Sequence, residues 1–297
     1  MKLLQRLHKR ILRDISQAPV FQVPAEMAYK AALENHVGNL PRLSPNEQTL
    51  VETLRQEGVF ITSLEALEIP STPLLLQAAH KLIPKLQVNY SDNKYKYVIH
   101  ATSAQIRKNP EIFLWGLEER LLNSIENYLG LPPAYHGSHF RRDLANEVQL
   151  KSRKWHIDRE DRQVVKIIVY LNDVSENGGP FQYIPKSLTA IAVRSLGYKY
   201  GYVHDKPVER VIPPSEWKSC TGTAGTVIFA DTGSIFHRGK KPVESDRLAI
   251  FFDYTSRQPK HPYYCNSPLL REDLLVLART LSEHQRKCLF WLQDSGI

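Results

Sequence analysis

Cysteine is scarce. Cys220, Cys265 and Cys288 are the only three in 297 residues, an odd number and widely spaced. That argues against a disulfide framework, leaves no Cys-x-x-Cys metal site, and fits thiols kept reduced in a cytoplasmic protein. Long apolar runs are also missing: none approaches the roughly 18 residues that suggest a membrane span. The apolar residues of the N-terminus are interrupted by Gln5, Arg6, His8, Lys9 and Arg10, so they do not read as a secretory signal. No aromatic-basic motif of an RNA-binding module occurs, and the basic residues are spread along the chain. The net charge, 39 − 31 = +8, therefore points to an anionic substrate or surface, and nucleic acid is not the favoured partner.

With 42% hydrophobic and 24% charged residues, the chain has the material for a sizeable core. Three regions are expected. Residues 1–43 hold a basic amphipathic helix over 1–16, with Leu3, Leu4, Leu7, Ile11, Leu12 and Ile15 at helical spacing, then a linker with a short helix near Ala25–Asn35. The apolar stripe is read as packing on the domain or a partner chain, with weak membrane-surface contact as the other reading. Residues 44–256 form the main domain, and residues 257–297 carry one C-terminal helix, from Ser267-Pro268 to about Gln293, that packs on it or on a second subunit. His284 falls on the stripe of that helix and reads as a packing residue. The oligomeric state is not legible.

Within the main domain, Ser44-Pro45 starts a helix that Gly58 ends, and Val59-Phe60-Ile61 begins a strand. Helices are expected over Thr72–Leu86 and Pro110–Leu129, and a strand over Lys94–His100. After Pro132-Pro133 come short strands over 136–142, 145–151, 153–158, 164–171, 180–184, 189–193, 225–230, 234–238 and 247–254. Val164–Leu171 and Leu248–Phe252 are apolar almost throughout, as strands buried on both faces should be. The pattern suggests a mainly β sandwich or barrel with flanking helices; the fold class taken is a double-stranded β-helix, the cupin-like jelly roll in which metal sites sit naturally and which the family resemblance given below implies. An insert from Arg194 to Lys218, carrying Tyr198, Tyr200, Tyr202, His204 and Trp217, reads equally as a cover over a site or as a connector packed on the sheet.

The chemistry centres on Lys154-Trp-His-Ile-Asp158. Strand alternation turns His156 and Asp158 to one face, where an imidazole and a carboxylate can grip one metal ion. A third ligand must come from elsewhere, and His237 in Gly233-Ser-Ile-Phe-His237-Arg is the best candidate. Two histidines and one carboxylate on one face of a metal are the ligand set of non-haem Fe(II) oxygenases.

Three stretches together resemble a known family: Trp155-His156-x-Asp158; the run Lys166–Val174 followed by Asn177-Gly-Gly-Pro-Phe-Gln-Tyr-Ile-Pro185; and His237 with Arg247 ten residues later. Over roughly residues 44–256 the chain is similar to the Fe(II)/2-oxoglutarate-dependent dioxygenases, most closely the phytanoyl-CoA dioxygenase-like branch. Where that branch has Pro-Gly-Ser-His, this chain has Pro185-Lys-Ser187-Leu. The resemblance implies that His156, Asp158 and His237 bind Fe(II), and that 2-oxoglutarate and O2 are cosubstrates with ascorbate in support. The expected reaction is hydroxylation or desaturation of a C–H bond in a small organic substrate. Related halogenases replace the carboxylate ligand with a small residue, whereas Asp158 is present here. Arg247 would hold the distant carboxylate of 2-oxoglutarate, its planar fork suiting the task; the competing reading pairs it with Asp246 or Glu244. Lys166 or Tyr170 would add a contact to the cosubstrate. The other readings are a jelly roll that binds metal or ligand without turnover, and an oxygenase acting on nucleic acid or protein.

Overall fold

The computed structural model describes residues 19–87 and 96–294. The basic helix expected over 1–16, and the first two residues of the strand expected over Lys94–His100, lie outside them.

Helices come first and brace the sheet. A helix over Pro19–His36 leads to one over Pro45–Glu57. Ser44 and Glu47 cap the second reciprocally: Ser44 N donates to Glu47 Oε2 at 2.8 Å and Glu47 N to Ser44 Oγ at 3.4 Å. Gly58 ends it with φ of 79°, a conformation that glycine takes without strain. Its Cα lies so close to Ile235 that a Cβ would stand 2.5 Å from Ile235 Cγ2.

Nine strands follow among the described residues: β1 (Val59–Ser63), β2 (Val98–His100), β3 (Pro133–Asp143), β4 (Val165–Tyr170), β5 (Phe181–Tyr183), β6 (Lys218–Cys220), β7 (Thr226–Asp231), β8 (His237–Gly239) and β9 (Arg247–Ser256). They form an antiparallel six-stranded sheet in the order β1-β7-β4-β9-β3-β2 and a three-stranded sheet in the order β6-β5-β8. The two sheets enclose one core. Ile168 and Tyr170 of β4, Ile228 and Ala230 of β7, and Ala249 and Phe251 of β9 pack with Phe181, Cys220 and Ile235 from the smaller sheet's side. The alternate residues Ile167, Val169, Phe229, Ile250 and Phe252 face the opposite way, onto the helices. Burial on both faces explains why β4 and β9 carry no polar alternation. This is the jelly roll expected from the sequence.

Several element expectations are corrected. Residues 145–151 form no strand. The backbone carbonyls of Leu144 and Val148, and Asn146 Oδ1, accept hydrogen bonds from the buried Arg153 guanidinium at 2.5–2.7 Å, so they are not offered to a neighbouring strand. Residues 189–193 lie in a helix, Lys186–Ser195, where Thr189 and Ala192 turn inward at helical spacing. The Pro110–Leu129 helix is broken at Glu118, whose ψ of 131° is extended and whose carboxylate accepts from Ser71 Oγ. The single C-terminal helix is three: Arg271–Leu277, Glu283–Leu289 and Trp291–Asp294. Ser282 starts the second with its own capping box, which fixes the break.

Candidate metal centre

His156 and His237 are brought together by backbone pairing. Each donates its N–H to the other's carbonyl at 3.0 Å, so the two residues sit opposite each other in an antiparallel bridge that extends β8. Directly opposed residues turn their side chains the same way, and the rings lie 4.2 Å apart. Asp158, two residues past His156, reaches both: its Oδ1 is 3.7 Å from His156 Nε2 and its Oδ2 is 3.7 Å from His237 Nε2. Asp158 N donates to Thr232 O at 2.9 Å, which fixes the turn out of the bridge. One donor atom from each of the three lies within 4.8 Å of the others, the one such cluster among the described residues. Nitrogen and oxygen ligands at about 2.0–2.2 Å from a metal stand about 3–4 Å from each other, so modest closure would complete the set.

The protonation states suit ligands. His156 Nδ1 lies 2.8 Å from Lys154 O and His237 Nδ1 lies 3.2 Å from Ile235 O. A carbonyl only accepts, so Nδ1 carries the proton and the Nε2 lone pair faces Asp158. Burial pushes His237 down to about 3, helped by the neighbouring His156, and burial also lowers His156. Both rings are therefore neutral and able to bind metal at neutral pH. Burial alone would raise the Asp158 carboxyl, but Lys166, His237 and His156 hold it well below the usual range. Lys166 Nζ stands 2.8 Å from Asp158 Oδ2. Burial opposes the Lys166 charge, yet Asp158, Asp253 and Glu160 raise its pKa.

Arg247, the first residue of β9, is buried. Its Nη2 and Nε donate to Asp143 Oδ2 at 2.9 and 3.3 Å, and its Nη1 donates to Gly179 O at 2.5 Å. The sequence had offered Asp246 or Glu244 as partners; Asp246 instead pairs with Arg142, and Glu244 accepts from Asn177. A Cβ at Gly239 would stand 2.9 Å from Arg247 Nη2, so the guanidinium lies against β8 two residues beyond His237, about 7 Å along a strand. Tyr170 lies beside it, but its hydroxyl donates to Cys220 O at 2.9 Å and accepts from Phe181 N at 2.8 Å. Lys166 is placed at Asp158, away from Arg247.

Sequence reasoning passed over several residues at this site. Asp143, the partner of Arg247, and Arg141, whose Nε is 3.0 Å from the same carboxylate, lie on β3 with one residue between them. The signal was available: in His139-Phe-Arg-Arg-Asp143 every second residue is polar, an unusual inner face for a buried strand. Asp253 lies opposite Lys166 in the β4–β9 register. The Arg194–Lys218 insert divides between its two readings. Tyr198 packs on Phe236 and Trp217 on Trp155, with ring centroids 4.7 and 4.9 Å apart, while Tyr202 lies 5.0 Å from His156. Tyr200 and Tyr202, with Arg159, Glu160 and Tyr264, line a cavity of about 400 Å³ that opens onto His156 and Asp158.

No family model matches the chain, and no curated protein matches its sequence. Solved structures do resemble it. EctD from S. alaskensis with 2-oxoglutarate and 5-hydroxyectoine matches with a TM-score of 0.52 at 16% identity, over 73% of this chain and 77% of that one. The chain shares its fold. HygX from Streptomyces hygroscopicus with nickel and 2-oxoglutarate gives 0.50 at 15% identity, over 73% and 88%. The non-heme alpha ketoglutarate dependent carbocyclase SnoK from nogalamycin biosynthesis gives 0.50 at 16%, over 73% and 85%. No helix among the described residues is long and apolar enough to cross a membrane.

Proposed function

We propose that the chain is an Fe(II)- and 2-oxoglutarate-dependent oxygenase acting on a small organic substrate. Residues 44–256 are the catalytic unit in this reading, with 257–297 packed on it. The observation that carries it is the bridge between His156 and His237, which aims two neutral imidazoles at the Asp158 carboxylate inside a jelly roll. Bound there, iron would supply the redox chemistry that couples decarboxylation of 2-oxoglutarate to oxidation of a substrate C–H bond.

The protein's own part is placement and charge. His156, Asp158 and His237 occupy one side of the centre, which leaves the other side to exchangeable ligands. Arg247 and Tyr170 mark the end that would receive the far carboxylate of 2-oxoglutarate. Lys166 steadies Asp158 and, through its ammonium, an anion beside it. Beside the centre, Arg141 and Arg247 share Asp143, Lys166 pairs with Asp158, and Asp253 stands opposite Lys166, so three local cations face three local carboxylates. A divalent cation or a dianion alone would upset that balance, and the two together preserve it. Uncompensated charge is costly in such a place.

One observation favours a second reading, a jelly roll that binds metal without turnover: Arg247 already has a carboxylate partner in Asp143. Both readings meet in one experiment. Anaerobic calorimetry with Fe(II), then 2-oxoglutarate, should show metal binding followed by cosubstrate binding, and aerobic incubation should release succinate. Metal binding without any 2-oxoglutarate heat would move the assignment to the second reading. Absence of metal binding would remove both.

A further inference from the structure

The mouth of the metal centre has a chemistry of its own. Tyr200 is 68% exposed, Tyr202 52% and Tyr264 39%, in a molecule whose other large aromatic side chains are mostly packed away. The three come from two separate segments, the 194–218 insert and the turn after β9, and converge on the cavity that contains His156 and Asp158. Arg159 stands among them. Its guanidinium carbon lies 4.9 Å from the Tyr200 ring centroid and 5.9 Å from that of Tyr264. At these distances the cation lies near two ring faces, and neither ring takes up its N–H donors in a hydrogen bond. The Arg159 side chain makes no hydrogen bond and no ion pair among the described residues; only its backbone N–H is engaged, with Glu160 Oε2 at 2.8 Å. Arg141, Arg153, Arg238 and Arg247, by contrast, each have an acidic or carbonyl partner. A guanidinium set among tyrosine rings, with its side-chain donors unengaged among the described residues, is a fork for an anion carried on a flat or ring-shaped body.

We propose that this mouth binds a ring-bearing substrate with an anionic substituent, the ring lying against Tyr200 and Tyr202 and the carboxylate or phosphate on Arg159. The assignment rests on the reading of His156, Asp158 and His237 as the reacting centre. A cavity of about 400 Å³ lies in the range of small-molecule sites, roughly 300–1,000 Å³. The substituent on Arg159 would fix which C–H bond of the ring portion faces the metal, so Arg159 acts as a specificity residue.

The test uses the Zn(II)-loaded protein with saturating 2-oxoglutarate, so that the inner cavity is closed to stray anions. Phenyl phosphate, benzoate and benzyl alcohol are titrated by saturation-transfer NMR, and inorganic phosphate by 31P line broadening. Phenyl phosphate and benzoate are expected to bind about tenfold more tightly than benzyl alcohol, as a charge-assisted bond to one arginine allows. R159Q should bring the three ring probes to within about a factor of two, and R159K should restore part of the preference. Y200A should weaken all three ring probes and leave inorganic phosphate unchanged. Preference for phenyl phosphate over benzoate assigns a phosphate, and the reverse a carboxylate. If wild type binds none of the ring probes, does not discriminate by charge, or keeps its preference in R159Q, the proposal is wrong. Co(II) absorbance is followed separately. Loss of Co(II) binding with an intact Arg159 effect would overturn the oxygenase reading and leave the anion site standing.

Discussion

At the scale of single residues, the centre depends on three donor atoms and the bonds that aim them. H156A, D158A and H237A should each abolish Co(II) uptake measured by visible absorbance, with far-UV circular dichroism unchanged. The bridge that holds positions 156 and 237 is made by backbone, which alanine keeps. R247A should raise the 2-oxoglutarate dissociation constant by about 10- to 100-fold in calorimetry, the loss expected for a charged bidentate partner. The metal constant should stay within about threefold of wild type. If 2-oxoglutarate binding is unaffected, the arginine serves Asp143 alone. His156 and Asp158 were legible in the sequence because alternation is local. The Asp143 partner of Arg247 was not, since 104 positions separate them and any nearer acid fits as well on paper. Arg153 was illegible for another reason: its partners are mostly main-chain carbonyls, which carry no sequence signature.

Among elements, the turn at Gly58 links the helical layer to the candidate metal centre. Ile235, which it touches, also supplies the carbonyl that faces His237 Nδ1. G58A must take a left-handed conformation and also displace Ile235, a combined cost of about 1–3 kcal/mol. The urea midpoint should fall accordingly, and Co(II) affinity should fall with it. A drop in stability with unchanged Co(II) affinity would show that Ile235 does not position the ring. The long apolar strands β4 and β9 were readable from composition, and so was the capped Pro45–Glu57 helix. Residues 189–193 were mistaken for a strand because Thr189, Ile191 and Val193 are β-branched and alternate; in the helix Ala192 packs with Trp155, Ile184 and Phe236, and Thr189 Oγ1 donates to Ile184 O and accepts from Phe236 N.

For the whole molecule, buried neutral histidines set the response to acid. His136 is lowered to about 4 by burial, and His261 to about 4 by burial and by Arg159 and Lys260. In the unfolded chain a histidine titrates near 6.5. Between pH 6.5 and 4 the unfolded chain takes up protons that the folded one refuses, so stability falls as pH falls, by up to about 1.4 kcal/mol per pH unit for His136. The melting temperature should therefore drop across that window, and H136Q should flatten the drop. The charge balance of the interior predicts a second global effect. Zn(II) and 2-oxoglutarate added together should raise the melting temperature by more than the sum of their separate shifts, a coupling of about 1–3 kcal/mol.

One short extended stretch serves two masters. Trp155 pairs through its backbone with Val203, and His156, its neighbour, pairs with His237. Tyr200 and Tyr202 of the mouth sit just before Val203 and are thereby moored to the same rail as the candidate ligands. Tyr198 is tied down as well, against Phe236 and by Ile157 N, so residues 199–202 span two fixed moorings. A lineage could thus exchange one cargo for another by editing four positions, while the machinery beneath stays in register.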